Sequence, residues 1–198
     1  MLIYLLSLLQ NLDHATAVWF HAHLTQGSSG VLLLMSDPGC PECVGSLTAF
    51  AGIFFAWKRH WHRLLTLGFA LPGGMLVNEI VKVTIHRARP YQSSPYLDLG
   101  GYSFPSAHTM AATLIYGVLA VFAVSMIKTR HFRVLALAGA ALPVLVVAFS
   151  RVALGAHYVT DVAGAMALSI GWLFLSFGAA RKLVPAPVQA PAMEQEKA

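Results

Sequence analysis

Ser150-Arg151-Val152-Ala153-Leu154-Gly155-Ala156-His157-Tyr158-Val159-Thr160-Asp161 is a short polar stretch between two long apolar segments. A guanidinium, an imidazole and a carboxylate stand in it at intervals of six and four. If the tail of the stretch is helical, His157 and Asp161 at i and i+4 share one face, and the carboxylate can hold the imidazole in one tautomer and orientation. That is the base-orienter half of a nucleophilic site. Two more clusters carry groups that could serve such a site. One is Lys82-Val83-Thr84-Ile85-His86-Arg87-Ala88-Arg89-Pro90, and the other is Tyr102-Ser103-Phe104-Pro105-Ser106-Ala107-His108.

Between them the clusters offer Lys82, Arg89 and Arg151 as cations, Ser106 as a hydroxyl and His108 as a second imidazole. Three converging cations need an anion with several oxygens, and a phosphoryl group suits both the planar fork of arginine and the point charge of lysine. A helix starting after Pro105 adds free backbone N–H groups and the positive end of a helix dipole. The combination reads as a phosphate cradle beside a histidine nucleophile. Taken singly, each residue has a plainer role. Lys82, Arg87 and Arg89 could snorkel from helix ends to lipid headgroups, and Asp161 could cap a helix. The joint spacing is what argues for chemistry, and His86 and Arg87, which fall outside it, keep the plainer reading.

In order and spacing the three clusters resemble the signature of the type 2 phosphatidic acid phosphatase (PAP2) superfamily, K-x6-R-P, then P-S-G-H, then S-R-x5-H-x3-D. Lys82 to Arg89-Pro90 matches the first part and Ser150-Arg151 to His157 to Asp161 the third; Pro105-Ser106-Ala107-His108 matches the second, with alanine where the family usually has glycine. The resemblance implies that His157 attacks phosphorus and carries a transient phosphohistidine, that Asp161 orients it, and that His108 protonates the leaving oxygen. It further implies that Lys82, Arg89, Ser106, the backbone N–H of Ala107, and Arg151 hold the phosphate. Similar enzymes need no metal or other cofactor, and no cluster of carboxylates here would hold magnesium. Soluble vanadate-dependent haloperoxidases share this phosphate site, but the membrane spans point to the lipid phosphatase branch.

Those spans are what must position the clusters. Of 198 residues 57% are hydrophobic and only 11% charged, far more apolar surface than one soluble core would bury. The expected fold is all-α, a polytopic membrane bundle with a PAP2/haloperoxidase-like core. Spans are expected at 41–57, 64–84, 107–127, 134–149 and 161–180, with a sixth conceivable near the N-terminus, giving five to six transmembrane helices. Residues 1–40 read as an N-terminal interfacial or weakly spanning segment, interrupted at Gln26-Gly27-Ser28-Ser29-Gly30; residues 41–182 as the catalytic domain; and residues 183–198 as a disordered cytoplasmic tail.

The net charge of +5 is accounted for by loops and site, so no nucleic acid is expected as a partner. Basic loops at 58–63 and 128–133, together with Arg181-Lys182, fall on one side of alternating spans, which the positive-inside rule makes cytoplasmic. The clusters then face outward. That arrangement and the short loops lead us to expect a multi-pass protein of a bacterial cytoplasmic (inner) membrane with its site on the periplasmic or extracellular side.

The partners expected are the bilayer and a membrane lipid phosphate. A loop carrying Tyr91, Tyr96, Tyr102 and Phe104 suits a phosphate head displayed by a lipid. In bacterial relatives the choices are undecaprenyl diphosphate and phosphatidylglycerol phosphate, which are favoured here, and phosphatidic acid or a lipid A phosphate. The alternatives are a lipid-phosphate transferase of the same fold, or a transporter or flippase with charges lining a pathway. Cys40 and Cys43 lack the context of a redox or zinc motif and read as a structural pair, with a local disulfide open to them on an oxidising side. His21 and His23 lack a third ligand, and Glu79 reads as a partner for Lys82. Small residues Ala163, Ala167 and Gly171, four apart, read as a helix-packing stripe.

Overall fold

The alternation of apolar runs with short polar breaks becomes eight α-helices in a computed structural model, which describes residues 1–91 and 100–183. They are α1 (Leu2–His23), α2 (Gln26–Ser36), α3 (Pro41–Trp57), α4 (Trp61–Gly68), α5 (Gly74–Ile85), α6 (Ala107–Met126), α7 (Arg130–Ala153) and α8 (Val159–Leu183), and there is no strand among the described residues. The expected tail from 184 onward and the loop aromatic Tyr96 lie outside the described residues. Among the described residues, five runs are long and apolar enough to cross a membrane: Gln26–Trp57, Trp61–Ile85, Ala107–Met126, Arg130–Ala153 and Val159–Leu183. The polytopic helical bundle expected from the sequence is the fold that forms.

α6 is the central post, packed against α3, α5, α7 and α8, with Met110, Leu114, Ile115 and Val118 fully buried. Lipid tails are as apolar as leucine, so helices in a bilayer associate through close fit rather than through exclusion of water. At Phe69–Gly73 the second span passes through a π-helical turn containing Pro72, whose ring cannot donate a backbone hydrogen bond. Gly74 follows it, where a Cβ would stand 2.4 Å from Leu114 of α6. Trp172 of α8 closes the bend by donating its indole N–H to the Phe69 carbonyl at 3.1 Å.

The helices depart from the sequence reading at the N-terminal break and on the face of α8. The N-terminal break falls at Leu24–Thr25, because the Thr25 and Ser28 hydroxyls each accept the other's backbone N–H, at 3.2 and 2.9 Å. This reciprocal cap starts a helix at Gln26, so the Gly/Ser run forms its first turns. The stripe of Ala163, Ala167 and Gly171 faces outward, while Ala165, Ser169, Ser176 and Ala180 are buried. A period of four found the axis of α8 but not its packed face. Pro41 does open α3, and the Cys40 sulfur accepts the Cys43 N–H at 3.3 Å, leaving both thiols free.

Arg63 of α4 donates to the Ser125 hydroxyl at the end of α6, 3.4 Å away. This contact fastens the basic 58–63 segment to the end of α6, just before the basic 128–133 segment, at one end of the bundle. The last turn of α5, the start of α6, the last turn of α7 and the start of α8 meet at the opposite end.

Candidate active site

α5 carries Lys82 in its final turn and stops at His86, whose φ of 55° is a left-handed conformation that terminates the helix. The extended residues that follow bring Arg87 and Arg89 to the helix ends. Ser103 donates its N–H to the Arg87 carbonyl at 2.8 Å, pinning the second cluster to the first. Phe104 lies against Gly164 of α8, where a Cβ would come within 2.4 Å of the ring. Asn78, buried on α5, donates to the Pro105 carbonyl at 3.4 Å.

That segment delivers Ser106 as the residue before α6. Its hydroxyl makes no capping bond and, among the described residues, accepts only from the Thr109 hydroxyl, at 3.1 Å. Ala107 begins the helix with no positive φ, so a methyl there costs no backbone strain, and its N–H belongs to the unpaired first turn. His108 follows, with Arg151, His157, Lys82 and Glu42 within electrostatic reach. Lys82 itself lies 3.5 Å from Glu79, the partner read from the sequence.

Arg151 is 6% exposed in the last turn of α7. Its carbonyl accepts the N–H groups of Ala156 and His157 at 3.1 and 3.2 Å, folding the chain back so that His157 faces the same space. Its Nε has no hydrogen-bond partner among the described residues. Ser150 ties this turn to the end of α2 through the Ser36 hydroxyl, at 2.8 Å.

His157 is 3% exposed and Asp161 fully buried. Nδ1 of His157 lies 3.7 Å from Oδ2 of Asp161, longer than a hydrogen bond but of the kind that tightens when substrate binds. Its Nε2 is 3.4 Å from Nη1 of Arg89. A guanidinium can only donate, so Nε2 is the acceptor and the ring proton sits on Nδ1, facing the carboxylate. Burial holds the His157 pKa down to about 4; Asp161 pushes the other way, and Arg89 and Arg151 add to the depression. The ring is therefore neutral near pH 7, with its lone pair on Nε2.

Arg89 is fixed by the carbonyls of Ala156 (2.9 Å) and Gly100 (2.8 Å). Burial lowers its pKa, against the charge of Asp161. Asp161 is held on both oxygens. Oδ2 accepts the Ser103 hydroxyl at 2.5 Å and the Tyr158 N–H at 2.9 Å, and Oδ1 accepts Nη1 of Arg87 at 2.5 Å.

The structure thus brings His157, Asp161, Arg89 and Arg151 into one cluster, with Ser106, Ala107, His108 and Lys82 around it. Sequence reading missed Ser103, quoted in its cluster but given no role, and it misplaced Arg87. That side chain turns inward to Asp161 rather than out to headgroups, because a buried carboxylate attracts it more strongly than the interface does. His86 remains exposed, edge-on to Tyr102. His21 stacks on Tyr91, His23 stacks on Trp19, and no group of three metal-ligating side chains occurs among the described residues.

Beside His108 and Ala107, an apolar cavity of about 510 Å³ opens between α3, the π turn and α6, lined by Val44, Leu71, Pro72, Met75 and Ala111. It gives the polar cluster an apolar neighbour lined by residues of the candidate spans.

Comparison with known proteins gives the family and the fold. The profile of the PAP2 superfamily matches residues 63–184. Phosphatidylglycerophosphatase B of Bacillus subtilis (strain 168) is 36% identical over 135 residues, which cover 67% of this chain and 64% of that protein. The chain therefore spans a little under two thirds of that relative. A crystal structure described as the first transmembrane PAP2 type phosphatidylglycerolphosphate phosphatase from Bacillus subtilis superposes with a TM-score of 0.77. It has 28% identity and covers 89% of this chain and 88% of its own.

Proposed function

The chain belongs to the PAP2 superfamily, and from that membership we propose that it is a membrane lipid phosphatase working through a phosphohistidine on His157. The observation that carries this reading is the placement of the His157 ring, with its unprotonated Nε2 beside Arg89 and its Nδ1 toward Asp161.

In the proposed reaction the phosphate binds among Lys82, Arg89, Arg151, the Ser106 hydroxyl and the first N–H groups of α6. These donors stabilise charge on the equatorial oxygens as the transition state forms. The Nε2 lone pair of His157 attacks phosphorus, the P–O bond to the lipid breaks, and the leaving oxygen takes a proton from His108. The positive phosphoimidazole keeps its Nδ1 proton, and Asp161 offsets the charge. Water then attacks phosphorus, gives its proton to His108 and breaks the P–N bond, and phosphate leaves.

The apolar cavity beside His108 supports a substrate whose tail stays in the bilayer. The names of the similar proteins add weight to phosphatidylglycerol phosphate, with undecaprenyl diphosphate next, and with phosphatidic acid and lipid A phosphates as further substrates to be ranked. The three basic segments at the far end of the bundle support a site on the outer face of a bacterial cytoplasmic membrane.

Purified, detergent-solubilised protein assayed with EDTA against these four lipids tests the proposal. Phosphate release that His157→Ala eliminates is expected. Release that persists in His157→Ala, or that EDTA abolishes, would overturn the mechanism.

A further inference from the structure

Asp13 belongs to none of the clusters above, yet it is 3% exposed on α1 and engaged on both oxygens. Oδ1 accepts the Thr160 N–H at 3.0 Å, while Oδ2 accepts the Thr160 hydroxyl at 2.5 Å and Nη2 of Arg87 at 2.7 Å. Thr160 stands in the first turn of α8, where backbone N–H groups have no partner within the helix. Asp13 therefore caps, from another helix, the helix that carries Asp161.

Arg87 completes the connection. Its Nη1 reaches Asp161 Oδ1 at 2.5 Å and the Thr160 hydroxyl at 2.6 Å, and its guanidinium lies 4.4 Å from the centre of the Tyr158 ring. One fork thus spans two buried carboxylates. Sharing matters to the chemistry, because a guanidinium relieved of one carboxylate can turn both nitrogens onto the other. Oδ2 of Asp161 would then be drawn toward Arg87 and away from Nδ1 of His157.

We propose that Asp13 and Arg87 are positioning residues for hydrolysis. They fix the carboxylate plane of Asp161 and the start of α8, and through Asp161 they set the ring of His157. α1 is then part of the catalytic unit rather than a membrane attachment. This inference rests on the assignment of His157 as nucleophile.

A double-mutant cycle separates positioning from mere bracing. Wild type, Asp13→Asn, Arg87→Lys, Asp161→Asn and the doubles Asp13→Asn/Asp161→Asn and Arg87→Lys/Asp161→Asn are compared for kcat and KM, using whichever of the four lipids the wild type hydrolyses fastest. Asp13→Asn and Arg87→Lys are each expected to lower kcat about tenfold with KM within about twofold, because the phosphate ligands are untouched. In the Asp161→Asn background the same changes should cost less than about twofold more, since the group they act through is gone. Wild-type kcat in the single variants, or losses that multiply in full in the doubles, would overturn the proposal. If one single variant is not recovered as a monodisperse protein, the cycle built on the other decides. His157→Ala is run alongside: activity retained there refutes the nucleophile assignment, whereas an inactive His157→Ala with unaffected Asp13 and Arg87 variants refutes only the positioning role.

Discussion

Nη1 of Arg89 lies 3.4 Å from Nε2 of His157, so the cation proposed to bind phosphate and the atom proposed to attack it share one small space. That closeness fixes the tautomer of the ring and places a forked donor where charge would develop. Arg89→Ala is expected to lower kcat/KM by about 10²-fold or more, the usual cost of removing one transition-state donor. Arg89→Lys should recover only part, because a point charge cannot reproduce the fork. Steady-state kinetics of the two variants checks the order.

The pKa of His157 is held down to about 4, by burial first and by Arg89 and Arg151 in addition. Histidine NMR on the detergent-solubilised protein should show this ring neutral well below pH 6. Removing a positive neighbour removes part of the depression, so Arg89→Ala should move the titration to higher pH. An unchanged or lower value would contradict the placement. Folding stability follows the same shift. The unfolded ring takes its proton near 6.5 and the folded one near 4. This contribution is whole above the first value and is lost as pH falls toward the second.

Gly164 gives the Phe104 ring its place, and the ring holds the segment that carries Ser103 and Ser106. Gly164→Ala puts a Cβ 2.4 Å from that ring, an overpacking of the kind that costs about 1–3 kcal/mol. Lower thermal stability together with a several-fold loss of kcat is expected. If thermal unfolding and kcat both match the wild type, the ring does not locate the loop.

Orientation can be read by labelling. In a Cys40→Ser/Cys43→Ser background, Ala88→Cys should react with an impermeant thiol reagent in intact cells and Thr129→Cys should not. Both positions are exposed, so the reverse pattern would invert the protein in the membrane.

Much of this was legible in the sequence, and for specific reasons. The spans are long apolar runs, which length and composition reveal directly. Lys82, Arg89, Ser106, His108, Arg151, His157 and Asp161 stand at spacings that plainer roles do not require. Arg87 was hidden because snorkelling explains a lone arginine at a helix end equally well, and only its meeting with Asp13 and Asp161 distinguishes the two. Asp13 left one trace, as the single carboxylate in the first 36 residues. Its capping of α8 is a tertiary relation that no local pattern encodes. Ala163, Ala167 and Gly171 show the converse, a clean period on an exposed face of α8.

The most direct test of the central claim is to trap the intermediate. Protein mixed with lipid carrying radiolabelled phosphate, denatured in alkali within the first turnovers and mapped by mass spectrometry, should carry an alkali-stable, acid-labile label on His157. The label should be absent from His157→Ala. Label on another residue, or turnover in His157→Ala, would contradict the account.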